Sequence, residues 1–137
     1  MRGHKANDFE RIRADHKNEV MEDYVEAIAK FESEHGRCRG ADLARYFSVS
    51  HPTVTQTVAR LKEAGLVEIE PYGPIALTKE GKSIAKKSRQ RHEVVFAFLL
   101  SLGVSESVAA VDTEGIEHHV SDETLRCMKR RLRDREG

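Results

Sequence analysis

The sequence predicts a mainly α-helical chain with one small β-hairpin: a winged helix-turn-helix followed by a second helical region. Three observations predict it. Apolar residues recur at three- and four-residue steps in several stretches, the period of a one-sided helix. Period-two alternation occurs in one place, residues 66–70 with 75–77, around Pro71-Tyr72-Gly73-Pro74. A short helix, a three-residue turn and a second helix precede that hairpin, in the order of a winged helix-turn-helix.

The elements follow in chain order. Residues 8–35 read as one long helix or two in line, because Val20, Tyr24, Ala27, Ile28 and Phe31 form an apolar stripe, and residues 1–7 read as frayed. Gly36 suits the left-handed position that ends a helix. Residues 41–47 make a short helix with Leu43, Ala44 and Phe47 inward, and Ser48-Val49-Ser50 is the turn. His51-Pro52 opens the next helix, since proline suits a first turn and Ser50 or His51 can cap it. That helix runs to about Ala64, and Gly65 ends it. Thr78 caps a helix from 79 to about 101, with Ile84, Ala85, Ser88, His92, Val95, Phe96 and Leu99 on its inner face. After Gly103, Ser105 caps a helix through 118, and Ser121 caps a last one to about 133.

Composition bounds the function. The 137 residues suffice for one ordinary domain or two very small ones. With 39% hydrophobic and 34% charged residues, 3 Pro and 9 Gly, the chain is neither collagen-like nor disordered. No apolar run approaches the roughly 20 residues a membrane span needs, and the N-terminus lacks the apolar core of a secretory signal. Cys38 and Cys127 cannot make a dense disulfide framework and fit plain thiols in a reducing compartment, so a cytoplasmic location is expected.

The zero net charge conceals a pattern. Residues 37–91 hold 11 Lys/Arg against 5 Asp/Glu, residues 92–125 hold none against 7, and residues 126–137 hold 6 against 2. A basic middle beside an acidic block suggests one surface for a polyanion and one site for cations, although charge blocks are also ordinary solvated helix faces.

The helix after His51 has two chemically distinct faces. Val54, Val58 and Leu61 fall at i, i+4, i+7 and pack inward, while Thr53, Gln56, Thr57 and Arg60 fall on the other side. Glutamine pairs with adenine, arginine with guanine, and a threonine methyl meets the thymine methyl. Pro52 leaves a helix N-terminus suited to phosphate. The hairpin is then the wing, and Lys79, Lys82, Lys86, Lys87, Arg89 and Arg91 add positive potential. The same four side chains also read as a plain solvated face.

In the acidic block, Glu114, Glu117 and His118 stand at i, i+3, i+4, one face of a helix. His92 sits on an otherwise apolar face and needs a partner if buried. Asp23 and Glu26 flank the core stripe of the first helix. Four carboxylates and two imidazoles suit a hard or borderline divalent cation, Mn²⁺ foremost, and two such ions would neutralise the carboxylates. The alternatives are a solvated polar helix face and a satisfied core histidine.

Residues 21–28 (MEDYVEAI), 50–68 (SHPTVTQTVARLKEAGLVE), 91–100 (RHEVVFAFLL) and 114–125 (EGIEHHVSDETL) resemble the diphtheria toxin repressor family of metal-dependent regulators, most closely its manganese-responsive branch. The resemblance covers about residues 20–125, with the DNA-reading and metal motifs in the family's order. It implies a homodimeric repressor, not an enzyme, that binds a double-stranded DNA operator of manganese uptake genes when loaded with metal. It implies an N-terminal extension over 1–19, a winged helix-turn-helix over 20–78, and a helical metal-binding and dimerisation domain over 79–137. It places two Mn²⁺ per subunit on Asp23, Glu26, His92, Glu114, Glu117 and His118, with Fe²⁺, Zn²⁺, Co²⁺ or Cd²⁺ as substitutes. It assigns DNA contacts to Ser50, Pro52, Thr53, Thr55 and Gln56, beside Thr57 and Arg60 from the helix pattern. The iron-sensing branch carries Met at the position of Asp23 and Cys at that of Glu114, so the oxygen donors here favour manganese. The chain departs from the family in having no room for a C-terminal SH3-like domain, and His119 competes with His118 as a ligand. Val94, Val95, Phe98 and Leu99 form an apolar face for a dimer or for ordinary core. The rival functions are an iron- or zinc-responsive repressor of the same family, a winged-helix regulator with another effector or none, and a two-metal hydrolase.

Overall fold

The computed structural model describes residues 6–71 and 73–136, with the side chains of 6–9, 11–17 and 136 left aside. Of residues 1–7, expected to fray, Ala6 and Asn7 already belong to the first helix, while residues 1–5 and the conformation of Tyr72 in the expected turn lie outside the described residues. Among the described residues six helices and one hairpin follow in order: α1 (Ala6–His35), α2 (Gly40–Phe47), α3 (His51–Glu63), β1 (Val67–Ile69), β2 (Ile75–Leu77), α4 (Lys79–Ser101), α5 (Glu106–Ile116) and α6 (Asp122–Glu136). No helix among the described residues is long and apolar enough to cross a membrane. The contacts divide the chain into two compact units after Ala85, inside α4.

The first unit is organised around an apolar core. The α1 stripe buries Tyr24, Val25, Ala27 and Ile28; α2 adds Leu43 and Ala44, α3 adds Val54, Val58 and Leu61, and the hairpin adds Val67, Ile75 and Leu77. Tyr24 stacks on Phe47 with ring centroids 4.4 Å apart. β1 and β2 run antiparallel with Val67 opposite Leu77 and Ile69 opposite Ile75; on the face these residues share, Val67, Ile75 and Leu77 are buried and Ile69 is exposed. The Ile75 N–H donates to the Cys38 carbonyl at 2.8 Å, tying the hairpin to the segment between α1 and α2.

Local chemistry sets the helix ends. Gly36 and Gly65 take positive φ after α1 and α3, as expected of them. Ser48 closes α2 in the left-handed region at φ 54°, a conformation uncommon for a residue with a Cβ. The Ser50 hydroxyl caps α3, accepting from the Thr53 N–H at 3.3 Å. Thr78 caps α4: its Oγ1 accepts from the Gly81 N–H at 3.1 Å and donates to the Gly65 carbonyl at 2.7 Å. A methyl group on Gly81 would overlap the Leu66 carbonyl oxygen, so the start of α4 approaches the residue just before β1 through a residue that has to be glycine.

The second unit contains the rest of α4, α5 and α6. Val95 and Ala109 are its buried apolar residues, beside buried Ser88, Thr113 and Glu117. Full burial of Val95 makes that residue core, so it cannot also belong to an exposed dimer face. Ser121 Oγ caps α6 by accepting from the Thr124 N–H at 3.2 Å. Ser105 occupies the α5 cap position with extended backbone, and its side chain makes no capping bond.

Two expectations are corrected. The helix expected to reach residue 118 ends at Ile116, with Glu117 as its cap and His118 in the turn beyond. Strand residues 66–70 contract to Val67–Ile69, as the short hairpin pairs three residues on each side.

Candidate functional site

On α3, burial separates the two faces expected there. Val54, Val58 and Leu61 are buried, and Ser50, Pro52, Thr53, Thr55, Gln56 and Arg60 are exposed. Thr57 does not join them: it is only 7% exposed, and its hydroxyl donates to the Thr53 carbonyl at 3.0 Å. Its position at the edge of the apolar arc draws it inward, so it supports the helix rather than presenting a group to a partner. Thr53 Oγ1 lies 2.9 Å from Ser50 Oγ, and Thr55 Oγ1 donates to the His51 carbonyl at 3.0 Å. The exposed face therefore begins at a capped N-terminus where backbone N–H groups and the helix dipole favour an anion.

In the second unit, α4 and the end of α5 bring together residues 25 positions apart in the chain. His92 Nδ1 lies 2.8 Å from Glu117 Oε2 and 4.0 Å from Glu114 Oε1. With the carboxylate ionised, the shorter contact is an Nδ1–H donating to oxygen. Glu117 Oε1 lies 3.5 Å from His118 Nε2. The Glu117 side chain is 1% exposed and that of His118 is 2%, whereas that of Glu114 is 65% exposed. Glu114, Glu117 and His118 therefore do not share a solvated face. The backbone stays right-handed through Glu117, whose N–H donates to the Thr113 carbonyl at 3.0 Å, and this keeps Glu114 and Glu117 one turn apart although the helix has ended. His119, the competing histidine, is exposed.

One donor atom from each of His92, Glu114 and Glu117 falls within 4.8 Å of the others. That separation fits a common cation at ordinary nitrogen and oxygen bond lengths of about 2.0–2.2 Å. A buried carboxylate beside two imidazoles is costly unless matched by positive charge, and the nitrogen–oxygen donors suit a borderline or hard divalent ion. The residues fit a divalent cation. Asp23 and Glu26 lie in the first unit, one turn apart on α1 and partly buried beside Tyr24 and Ala27.

Sequence reasoning missed Thr113. It is fully buried one residue before Glu114, and Ser88 is buried one turn before His92. Among the described residues, neither hydroxyl oxygen has a hydrogen-bond partner. The position of Thr113, one turn before Glu117, is the signal that could have found it.

Comparison with known proteins shows the family and its two domains. The profile described as iron dependent repressor, N-terminal DNA binding domain, matches residues 17–75. The profile described as iron dependent repressor, metal binding and dimerisation domain, matches residues 78–136. The chain is 46% identical over 117 residues to the transcriptional regulator MntR of Escherichia coli O6:H1, covering 85% of this chain and 76% of that one. It is 44% identical to MntR of Salmonella typhimurium over 85% of this chain and 74% of the relative. A solved manganese-dependent transcriptional repressor in complex with manganese is similar with a TM-score of 0.74 and 27% identity, covering 82% of this chain and 52% of that one. The manganese regulator SloR gives 0.73 and 26%, covering 82% and 53%. The chain thus spans about half the length of these solved relatives.

Proposed function

The chain belongs to the diphtheria toxin repressor family of iron-dependent repressors, in its MntR branch, and on that premise we propose that it is a manganese(II)-responsive repressor of manganese uptake genes. It is a DNA-binding regulator and not an enzyme. The observation that carries the metal response is the His92–Glu114–Glu117 cluster, with its buried carboxylate.

In this reading residues 20–78 read DNA and residues 79–137 bind metal and pair two copies. Ser50, Pro52, Thr53, Thr55, Gln56 and Arg60 meet the operator, the exposed side chains supplying hydrogen bonds and the α3 N-terminus supplying a phosphate seat. His92, Glu114, Glu117 and His118, with Asp23 and Glu26 of α1, hold two Mn²⁺ per subunit. Bound cations supply the positive charge that offsets the four carboxylates. In a metal-responsive repressor cation affinity and DNA affinity are coupled, and each tightens the other by the same factor. Leu102, Val108 and Val111 are exposed apolar residues of the second unit, and they support pairing of two copies there. A cytoplasmic location follows from that role. Oxygen donors at 23 and 114 favour Mn²⁺ over Fe²⁺, while Zn²⁺, Co²⁺ and Cd²⁺ are expected to occupy the site without identifying the natural ion.

The test is duplex binding by purified protein with promoter DNA of a manganese transport gene, in Mn²⁺ and in chelator, for the natural chain and Glu114→Ala. Manganese is expected to tighten binding by roughly 5–150-fold in the natural chain, a coupling of about 1–3 kcal/mol. Glu114→Ala is expected to keep only weak, salt-sensitive binding. A full manganese response in Glu114→Ala would overturn the site, and equal binding in manganese and chelator would overturn the function.

A further inference from the structure

The metal and α3 sites leave a cationic surface unexplained. On α6, Arg126, Lys129, Arg130 and Arg133 stand at i, i+3, i+4, i+7, so they line one face. All four are exposed. A different face carries Leu125, Met128 and Leu132, which are partly buried. Among the described residues, no carboxylate lies within ion-pair distance of any of the four cations. Arg130 Nη2 instead lies 3.5 Å from Cys127 Sγ.

Helix electrostatics account for only part of this. The C-terminal dipole favours cations in the last turn, which holds Arg133 and Arg135. It gives no reason for Arg126, Lys129 and Arg130, one to two turns earlier. Four like charges on one stripe repel one another, and such a stripe persists at a cost unless a polyanion meets it. The stripe spans about 10 Å along the helix at 1.5 Å per residue, which reaches across several phosphates spaced about 3.4 Å per strand. Three of the four groups are guanidinium, whose fork matches phosphate oxygens.

We infer that the α6 stripe of Arg126, Lys129, Arg130 and Arg133 is a second, sequence-independent contact surface for the DNA backbone. It rests on the DNA-binding reading above, and adds to it a phosphate-binding element in the metal-binding region. It contributes affinity and salt dependence and carries no base specificity.

The experiment uses the full chain loaded with Mn²⁺ and a fluorescent random-sequence DNA duplex, with affinity measured across a series of sodium chloride concentrations. Two double variants are compared with the natural chain, Arg126→Gln with Arg130→Gln, and Lys129→Gln with Arg133→Gln. Glutamine has nearly the helix propensity of Arg and Lys, so α6 is preserved, and circular dichroism checks it. Each double variant is expected to lower the slope of log affinity against log salt by about 1–2, since each phosphate contact contributes about 0.9. At low salt, affinity is expected to fall tenfold or more. Arg126→Lys with Arg130→Lys, which keeps the charge, is expected to retain the slope. Unchanged slopes in both glutamine variants would overturn the inference while leaving the DNA-binding reading intact. Failure of the natural chain to bind any duplex would instead overturn that reading. Conversion of dimers to monomers by the glutamine variants in sedimentation, with the slope per protomer unchanged, would also overturn the inference, by making the stripe a protein interface.

Discussion

The two units of the chain bury opposite kinds of side chain. The first encloses a continuous apolar cluster running from Tyr24 on α1 through Leu43, Val58 and Leu61 to Ala85. The second buries Val95 and Ala109 among the apolar residues, and encloses Ser88, Thr113 and Glu117. It also leaves Leu102, Val108 and Val111 in solvent. The first unit thus draws its cohesion from apolar area removed from water, which needs no outside partner. The second spends its interior on polar donors and its surface on apolar side chains, the arrangement of a region completed by an ion and by another protein surface. The first unit is held by its own apolar core, and the second keeps polar groups inside and apolar groups outside.

The sharpest way to break this comparison is a cavity in the apolar cluster. Leu61 is fully buried, and Leu61→Ala is expected to lower stability by about 2–5 kcal/mol. Urea unfolding followed by circular dichroism measures it. Under conditions where the variant is still folded, its Mn²⁺ affinity, read by calorimetry, is expected to match that of the natural chain. A parallel loss of manganese affinity would show that the two kinds of interior are not separable.

A smaller contrast sets two threonines against each other. The Thr57 hydroxyl donates to the Thr53 carbonyl, and Thr57→Val is expected to cost about 0.5–1.5 kcal/mol through loss of that bond. The Thr113 hydroxyl is buried with no hydrogen-bond partner among the described residues, so Thr113→Val keeps the shape and removes a desolvation cost. It is expected to raise stability by about 1 kcal/mol. Thermal unfolding of both variants checks the signs, and shifts in the same direction would remove the contrast.

The smallest effect concerns the thiols. Burial, with Asp42 and Glu32 adding to it, pushes the Cys38 thiol from 9.0 up to about 12, and Cys127 is exposed. A raised pKa means that the folded chain holds this proton more tightly than the unfolded chain. That contribution to stability is complete below about pH 9 and is lost as pH rises through about 12. The stability difference between the natural chain and Cys38→Ala, measured by urea unfolding, is expected to shrink over that window. At neutral pH iodoacetamide is expected to label Cys127 in the folded protein and Cys38 only on unfolding, as read by mass spectrometry.

Much of this architecture was legible beforehand. The apolar spacing of α1 and α3, the glycines at 36 and 65, the caps at Ser50, Thr78 and Ser121, and the alternation in the hairpin are local signals, and each sits where the structure has it. The residue types of the metal cluster were legible as well, because carboxylates and an imidazole at one-turn spacing are a local pattern too. Thr57 was misread because it lies at the edge of the apolar arc, where period alone does not decide the side. The α5 end was misread because the right-handed turn at Glu117 continues the spacing of a helix that has already stopped.

The amino-acid order by itself determined which faces are apolar, where helices start and stop, and which side chains can bind cations or DNA, since these depend on neighbours within a turn or two. Only the tertiary structure decided that Glu117 and His118 go inside while Glu114 and His119 stay out, that His92 meets Glu117 across 25 residues, and that Gly81 admits the Leu66 carbonyl. Such outcomes depend on which distant surface arrives against a given face, and no periodicity within one segment encodes the shape of another.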